Sequence, residues 1–193
     1  MNAHPRRFDA CPPWALASLR AGLNLVDRER VRYGLQKDGI AHQYRQLCDI
    51  NLGCPDLTVS QFQRFRLALE QVSVWLTEPG HTAPAAGAFV WAPLHAGFLM
   101  TAARALLGWT RGDVVGLPDV RLDYDCLSWA EQRPDTSIMD ELQEVYAAAG
   151  VQIVHGTDRH TSLYGVYAPL EVLDPAASRA ALLRLRGRHD ERG

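Results

Sequence analysis

From Thr58 onward the chain sets its large apolar residues, Phe62, Phe65, Leu69, Val72 and Leu76, three or four positions apart. An α-helix gathers residues at that interval onto one side, so this stretch must lay that side against something apolar. Its beginning is marked as well. Thr58 and Gln61 form the S/T-x-x-E/Q box, in which a hydroxyl and a side-chain amide satisfy the first free amides of a helix. The run "TEPGHTAPAAG" closes the segment and sets an internal boundary near 78–87. The same rhythm recurs upstream, where Leu16, Leu19, Leu23 and Val26 predict a helix within 14–31. After Gly34, a second and shorter apolar stripe is formed by Ile40, Tyr44 and Leu47, weakened by about 1 kcal/mol at Gly39 relative to alanine.

Beyond the boundary, 94–107 is apolar enough for a largely buried helix, and 122–132 and 137–149 read as two more. Residues 114–117 are expected as part of a loop or as a short strand. "VQIVHG" and "LYGVYAPLEVL" are β-rich and predict a small ribbon, and the Asp174-Pro175 pair opens a last helix. The fold class expected is mainly α: a helical bundle with an N-terminal helix-turn-helix and a small β-rich C-terminal ribbon. Three regions follow, 1–78, 88–150 and 151–193. With 193 residues, 47% of them hydrophobic, the chain can bury a sizeable core.

The formal net charge of -2 decides nothing about a polyanionic partner, but its distribution is uneven. Residues 1–66 hold ten Arg and Lys against six Asp and Glu, whereas 67–160 hold five against twelve. The cationic excess lies at the front. Cys11, Cys48, Cys54 and Cys126 form no C-x-x-C pair and follow no charged-then-apolar leader, which points to a reduced, cytoplasmic setting. The longest apolar candidate, around 86–108, is interrupted by Pro93, His95 and Arg104, so no membrane span is expected.

Two short helices joined at a glycine, the second turning its apolar residues inward, make a helix-turn-helix pattern in "YGLQKDGIAHQYRQL" at 33–47. Its outer side would carry Lys37, Ala41, His42 and Arg45, with Gln36 and Gln43 beside them. Such a helix fits the major groove, where Arg or Lys pairs with guanine and Gln with adenine. Arg30 and Arg32 would meet phosphates, and Arg64 and Arg66 on the following helix complete the expected DNA-binding set. Arg179, Arg184, Arg186 and Arg188 in the tail would add sequence-independent phosphate contacts.

That run, preceded by "RAGLNL" and followed by "CPDLTVSQFQRF", resembles the helical region of FlhC, one subunit of the flagellar FlhD–FlhC transcriptional activator family. Leu35, Lys37, Ile40, Tyr44, Arg45 and Leu47 fall where that family has Leu, a basic residue, Leu, Tyr, a basic residue and an aliphatic. "LHAGFLMTAARALL" at 94–107, "DYDCLSWAEQRP" at 123–134 and "LQEVYAAAGVQIV" at 142–154 look like its later helices, in the same order. The resemblance implies a transcriptional activator that binds double-stranded DNA as a hetero-oligomer with an FlhD-like subunit. It also implies a four-cysteine zinc site after the last of these helices, and there the chain departs: "VHGTDRHTSLYGVYAP" has no cysteine. His155 and His160 are the candidate stand-in ligands, though two histidines five apart are more often ordinary surface polar residues. No metal and no cofactor are expected.

A rival reading starts at Pro93, His95 and Gly97, which resemble the P-x-H-x-G-H signature of nucleotidyltransferases such as the nicotinate-nucleotide adenylyltransferases. There histidines and a helix N-terminus meet the phosphates of ATP. Phe98 stands where the second histidine belongs, and the chain ends before any Ser/Thr-Arg motif, so the site would be incomplete. That reading requires a parallel sheet. On a helix Asp123 and Asp125 stand about 200° apart and do not converge, and no nucleophile elbow, Walker loop or metalloprotease motif occurs.

Overall fold

The computed structural model describes residues 11–25, 57–71, 74–76, 87–92, 96–131, 139–158 and 161–187. The helix-turn-helix at 33–47 lies outside them. Helix α1 (Pro13–Leu25) begins with a proline at its first position, where the missing N–H has no intrahelical partner to lose. Ala15, Leu19, Ala21 and Leu23 are buried along it, and the buried Ser18 hydroxyl is satisfied by donating to the Trp14 carbonyl at 3.0 Å.

Helix α2 (Val59–Glu70) starts as expected: the Gln61 amide donates to Thr58 Oγ1 at 3.2 Å, and the Thr58 amide to Gln61 Oε1 at 2.9 Å. It stops at Glu70, short of the Leu76 that the apolar spacing suggested. Val74 and Leu76 are still buried, but Trp75 pairs with Trp91 through two backbone hydrogen bonds of 2.8 and 2.7 Å. The stop follows from that pairing across the fold, which Val74 and Trp75, both favourable in extended backbone, accommodate.

The expected ribbon is present, with one strand more than the sequence suggested. Strands β1 (Gly87–Ala92), β2 (Gln152–Asp158) and β3 (Thr161–Pro169) form a sheet in the order β1-β3-β2, both pairings antiparallel. One face is set by the pairs Ala88 with Ala168 and Val90 with Val166, all four buried in the core. The other carries Phe89 opposite Tyr167 and Trp91 opposite Gly165. The Phe89 and Tyr167 rings are 4.4 Å apart, a cross-strand aromatic pair. A Cβ at Gly165 would stand 2.7 Å from the Trp91 ring, so glycine is what lets the indole lie flat across the central strand.

Helix α3 (Ala96–Leu107) is buried all round from Leu99 to Leu107 and packs against α1, β3 and helix α6 (Met139–Ala148). Because α1 contacts both β1 and α3, residues on the two sides of the 78–87 boundary share one core. Val114 and Val115 close a short helix rather than opening a strand, and Gly116 and Leu117 follow as a turn. Helix α4 (Arg111–Val115) forms because Thr110 and Asp113 cap each other, at 3.1 Å from the Asp113 amide to Thr110 Oγ1 and 3.0 Å from the Thr110 amide to Asp113 Oδ2. Helix α5 (Tyr124–Ala130) is capped by Asp123.

Leu142, Val145 and Tyr146 point inward from α6, and Gly150, at φ +92°, takes the left-handed turn that leads into β2. The "LEVL" segment, expected to extend the ribbon, is instead a single turn, α7 (Leu170–Leu173). Helix α8 (Pro175–Gly187) follows, with the Asp174 carboxylate accepting from the amides of Ala176 and Ala177 at 3.0 and 2.9 Å. The described residues are therefore mainly helical with a small antiparallel sheet. None of their helices is long and apolar enough to cross a membrane.

Candidate nucleic-acid interface

Of the sequence-derived DNA-binding set, Arg30, Arg32, Gln36, Lys37, His42, Gln43 and Arg45 lie outside the described residues, as do His95, His160 and Arg188. Arg64 and Arg66 are on α2, where they play different parts. Arg66 is part-buried and faces Glu70 at 3.5 Å, an i,i+4 pair that neutralises both charges. Arg64 is exposed, and among the described residues it makes no ion pair.

Phe62, Phe65 and Leu69 fix the inner side of α2 in the core. Directly opposite, Ser60, Gln63, Arg64, Leu67 and Gln71 are exposed, at i, i+3, i+4, i+7 and i+11. These five supply a hydroxyl, two amides, one cation and one aliphatic; the carboxylate in line with Gln63, Glu70, is part-buried and paired with Arg66. The sequence reading picked out Arg64 and Arg66 but not the other four. Their signal was the complement of the apolar spacing on the same helix.

The other exposed helix faces differ. On α6, Asp140 and Glu144 are exposed, and α5 exposes Asp125 beside its capping Asp123, an arrangement that repels phosphate. The exterior of α8 has no carboxylate either, but its arginines are engaged. Arg186 and Arg179 lie 3.1 and 3.8 Å from Asp113, and Arg184 donates to the Ala148 carbonyl at 3.3 Å. These three act first as clamps between helices.

The core holds a charged cluster that the sequence did not announce. Arg104 on α3 binds Glu131 through Nε and Nη2, at 2.5 and 3.0 Å, and Arg111 on α4 binds the same carboxylate at 2.7 Å. Arg104 also donates to the Trp109 carbonyl at 3.0 Å, and the Trp109 indole donates to Ser178 on α8 at 2.9 Å. Glu131 is 1% exposed, so no substrate reaches it, and the cluster ties helices together. Tyr146 is fully buried with its hydroxyl unbonded; burial, then the Glu131 charge, pushes its proton affinity far above the ordinary tyrosine range.

Neither described thiol is activated. Burial pushes Cys11 up to about 11, and the neighbouring Asp123 carboxylate raises Cys126. Asp123 itself is held below the usual carboxylate range by the Cys126 amide, as a capping residue should be. No group of three or more potential metal ligands occurs among the described residues. His155 is on β2 opposite Tyr164.

No protein-family model, curated protein or solved structure matches the chain.

Proposed function

We propose that the chain is a DNA-binding transcriptional regulator that works in a hetero-oligomer with an FlhD-like subunit. The observation that carries this reading is the outer side of α2: a rigidly seated helix that offers exposed amide, hydroxyl and guanidinium groups, the last without an ion pair among the described residues, and no exposed carboxylate. Double-stranded DNA rewards that combination, since the cation meets the phosphates' field and the amides and hydroxyl match base edges. The cationic excess of residues 1–66 gives the same region its polarity. Exposed Tyr124 and Trp129 on α5 supply apolar surface for a subunit contact away from α2.

The adenylyltransferase reading gains no support, because it needs a parallel sheet and the three described strands pair antiparallel. The test is a titration of the chain against duplex DNA at several salt concentrations. Lys37→Ala and Arg45→Ala should each weaken binding and flatten the salt slope by about one unit. Binding unchanged by both, on every promoter fragment tried, would discard the regulator reading, and co-purification without a small helical partner would discard the heteromer.

A further inference from the structure

On the reading that the chain binds duplex DNA, we infer that α2 is a base-reading helix and that Gln63, Arg64 and Leu67 set its sequence preference. Ser60, Gln63, Arg64 and Leu67 stand at i, i+3, i+4 and i+7, so all four are neighbours on two successive turns. At 1.5 Å per residue they span about 10 Å of helix, which matches about three base pairs at 3.4 Å each. The groove-facing patch is thus the length of a short recognition triplet.

Each side chain has a partner that its chemistry selects. The planar fork of Arg64 offers two parallel N–H groups, which guanine accepts at O6 and N7. The Gln63 amide both donates and accepts, the pattern that adenine completes at N7 and N6. Leu67, 52% exposed, is the apolar surface against which the thymine 5-methyl packs. Ser60, in the first turn, has a hydroxyl that serves a phosphate or a base edge equally.

Pre-organisation favours this helix over the others. The Thr58–Gln61 box fixes its first turn, and Phe62, Phe65 and Leu69 leave it no freedom to roll. Arg66 is bound to Glu70, whereas Arg64 is exposed and has no ion pair among the described residues. Charge complementarity then fixes the kind of partner, because α2 faces outward with positive charge where α5 and α6 face outward with negative.

The experiment is selection of binding sites by the full chain from a pool of random duplexes, followed by titration of the enriched duplex and a scrambled one. The expected result is a core of about three adjacent pairs containing guanine and adenine. Arg64→Lys keeps the charge but not the fork. It should leave affinity for the scrambled duplex within about twofold while lowering preference for the guanine position about tenfold. Gln63→Ala should relax the adenine position alone, again by about tenfold. Both sites are exposed, so circular dichroism should show the parent fold in each variant. If both variants enrich the same core as the parent, or the parent binds every duplex equally, α2 does not read bases and the DNA-binding reading stands without it. If no duplex is bound at all, both fall.

Discussion

Tyr146 brings a hydroxyl into the core that nothing there bonds, although its ring packs well, 6.3 Å from that of Trp109. A buried donor without an acceptor is unfavourable by about 1–3 kcal/mol, so removing the oxygen should help the fold. Tyr146→Phe is therefore expected to raise the urea midpoint at unchanged slope, a gain in unfolding free energy of about 1 kcal/mol. A lower midpoint would mean that the hydroxyl has an acceptor after all. At the same scale, the inward positions of α2 could be read from spacing alone, because they answer to a local period. The Arg104–Glu131 pair could not, since its members are 27 residues apart and nothing local to either one names the other.

At the scale of elements, start signals were the most legible feature and ends the least. Thr58 and Gln61 announce α2 because both partners lie within one turn, while its stop depends on Trp75 finding Trp91 across the fold. The same contrast explains β1, whose pairing partner β3 comes much later in the chain. Thr110 and Asp113 were as local as the first box, yet aspartate in place of glutamate and the Val114–Val115 pair left a loop or a short strand as the expectation, where a turn of helix forms.

Asp113 also links α4 to α8. Burial alone would raise its proton affinity, but the Thr110 hydrogen bonds and then Arg186 and Arg179 outweigh it and hold the group below its ordinary 3.8. A carboxylate depressed in this way stabilises the fold above its unfolded value and loses that contribution as pH falls through the folded one. Asp113→Asn should consequently cost about 1 kcal/mol at pH 7, and the gap to the parent should shrink steadily once the pH drops below about 3.8. Thermal melts of both proteins from pH 7 to pH 2 measure it, and a gap that stays constant over that range would refute the linkage.

For the whole molecule, the node at Glu131 is what joins α3, α4 and the end of α5, while Trp109 and Ser178 carry the connection on to α8. Removing the carboxylate strands Arg104, whose side chain is only 8% exposed, and a buried charge without its partner costs about 3–5 kcal/mol. Glu131→Gln should show that loss in chemical denaturation. The double change Arg104→Met with Glu131→Leu should recover most of it, because the penalty belongs to the unpaired charge rather than to the missing bond. A double variant no better than the single one would show that the pair itself, not its desolvation, holds the helices.

The Trp75–Trp91 bridge has an effect at this scale too. A bare margin of a small sheet invites another chain to zip onto it and begin a fibre. With the Trp91 amide and carbonyl already engaged, an intruding strand would have to evict Trp75 before it could align along β1, so the two tryptophans work as a stopper against polymerisation from that side.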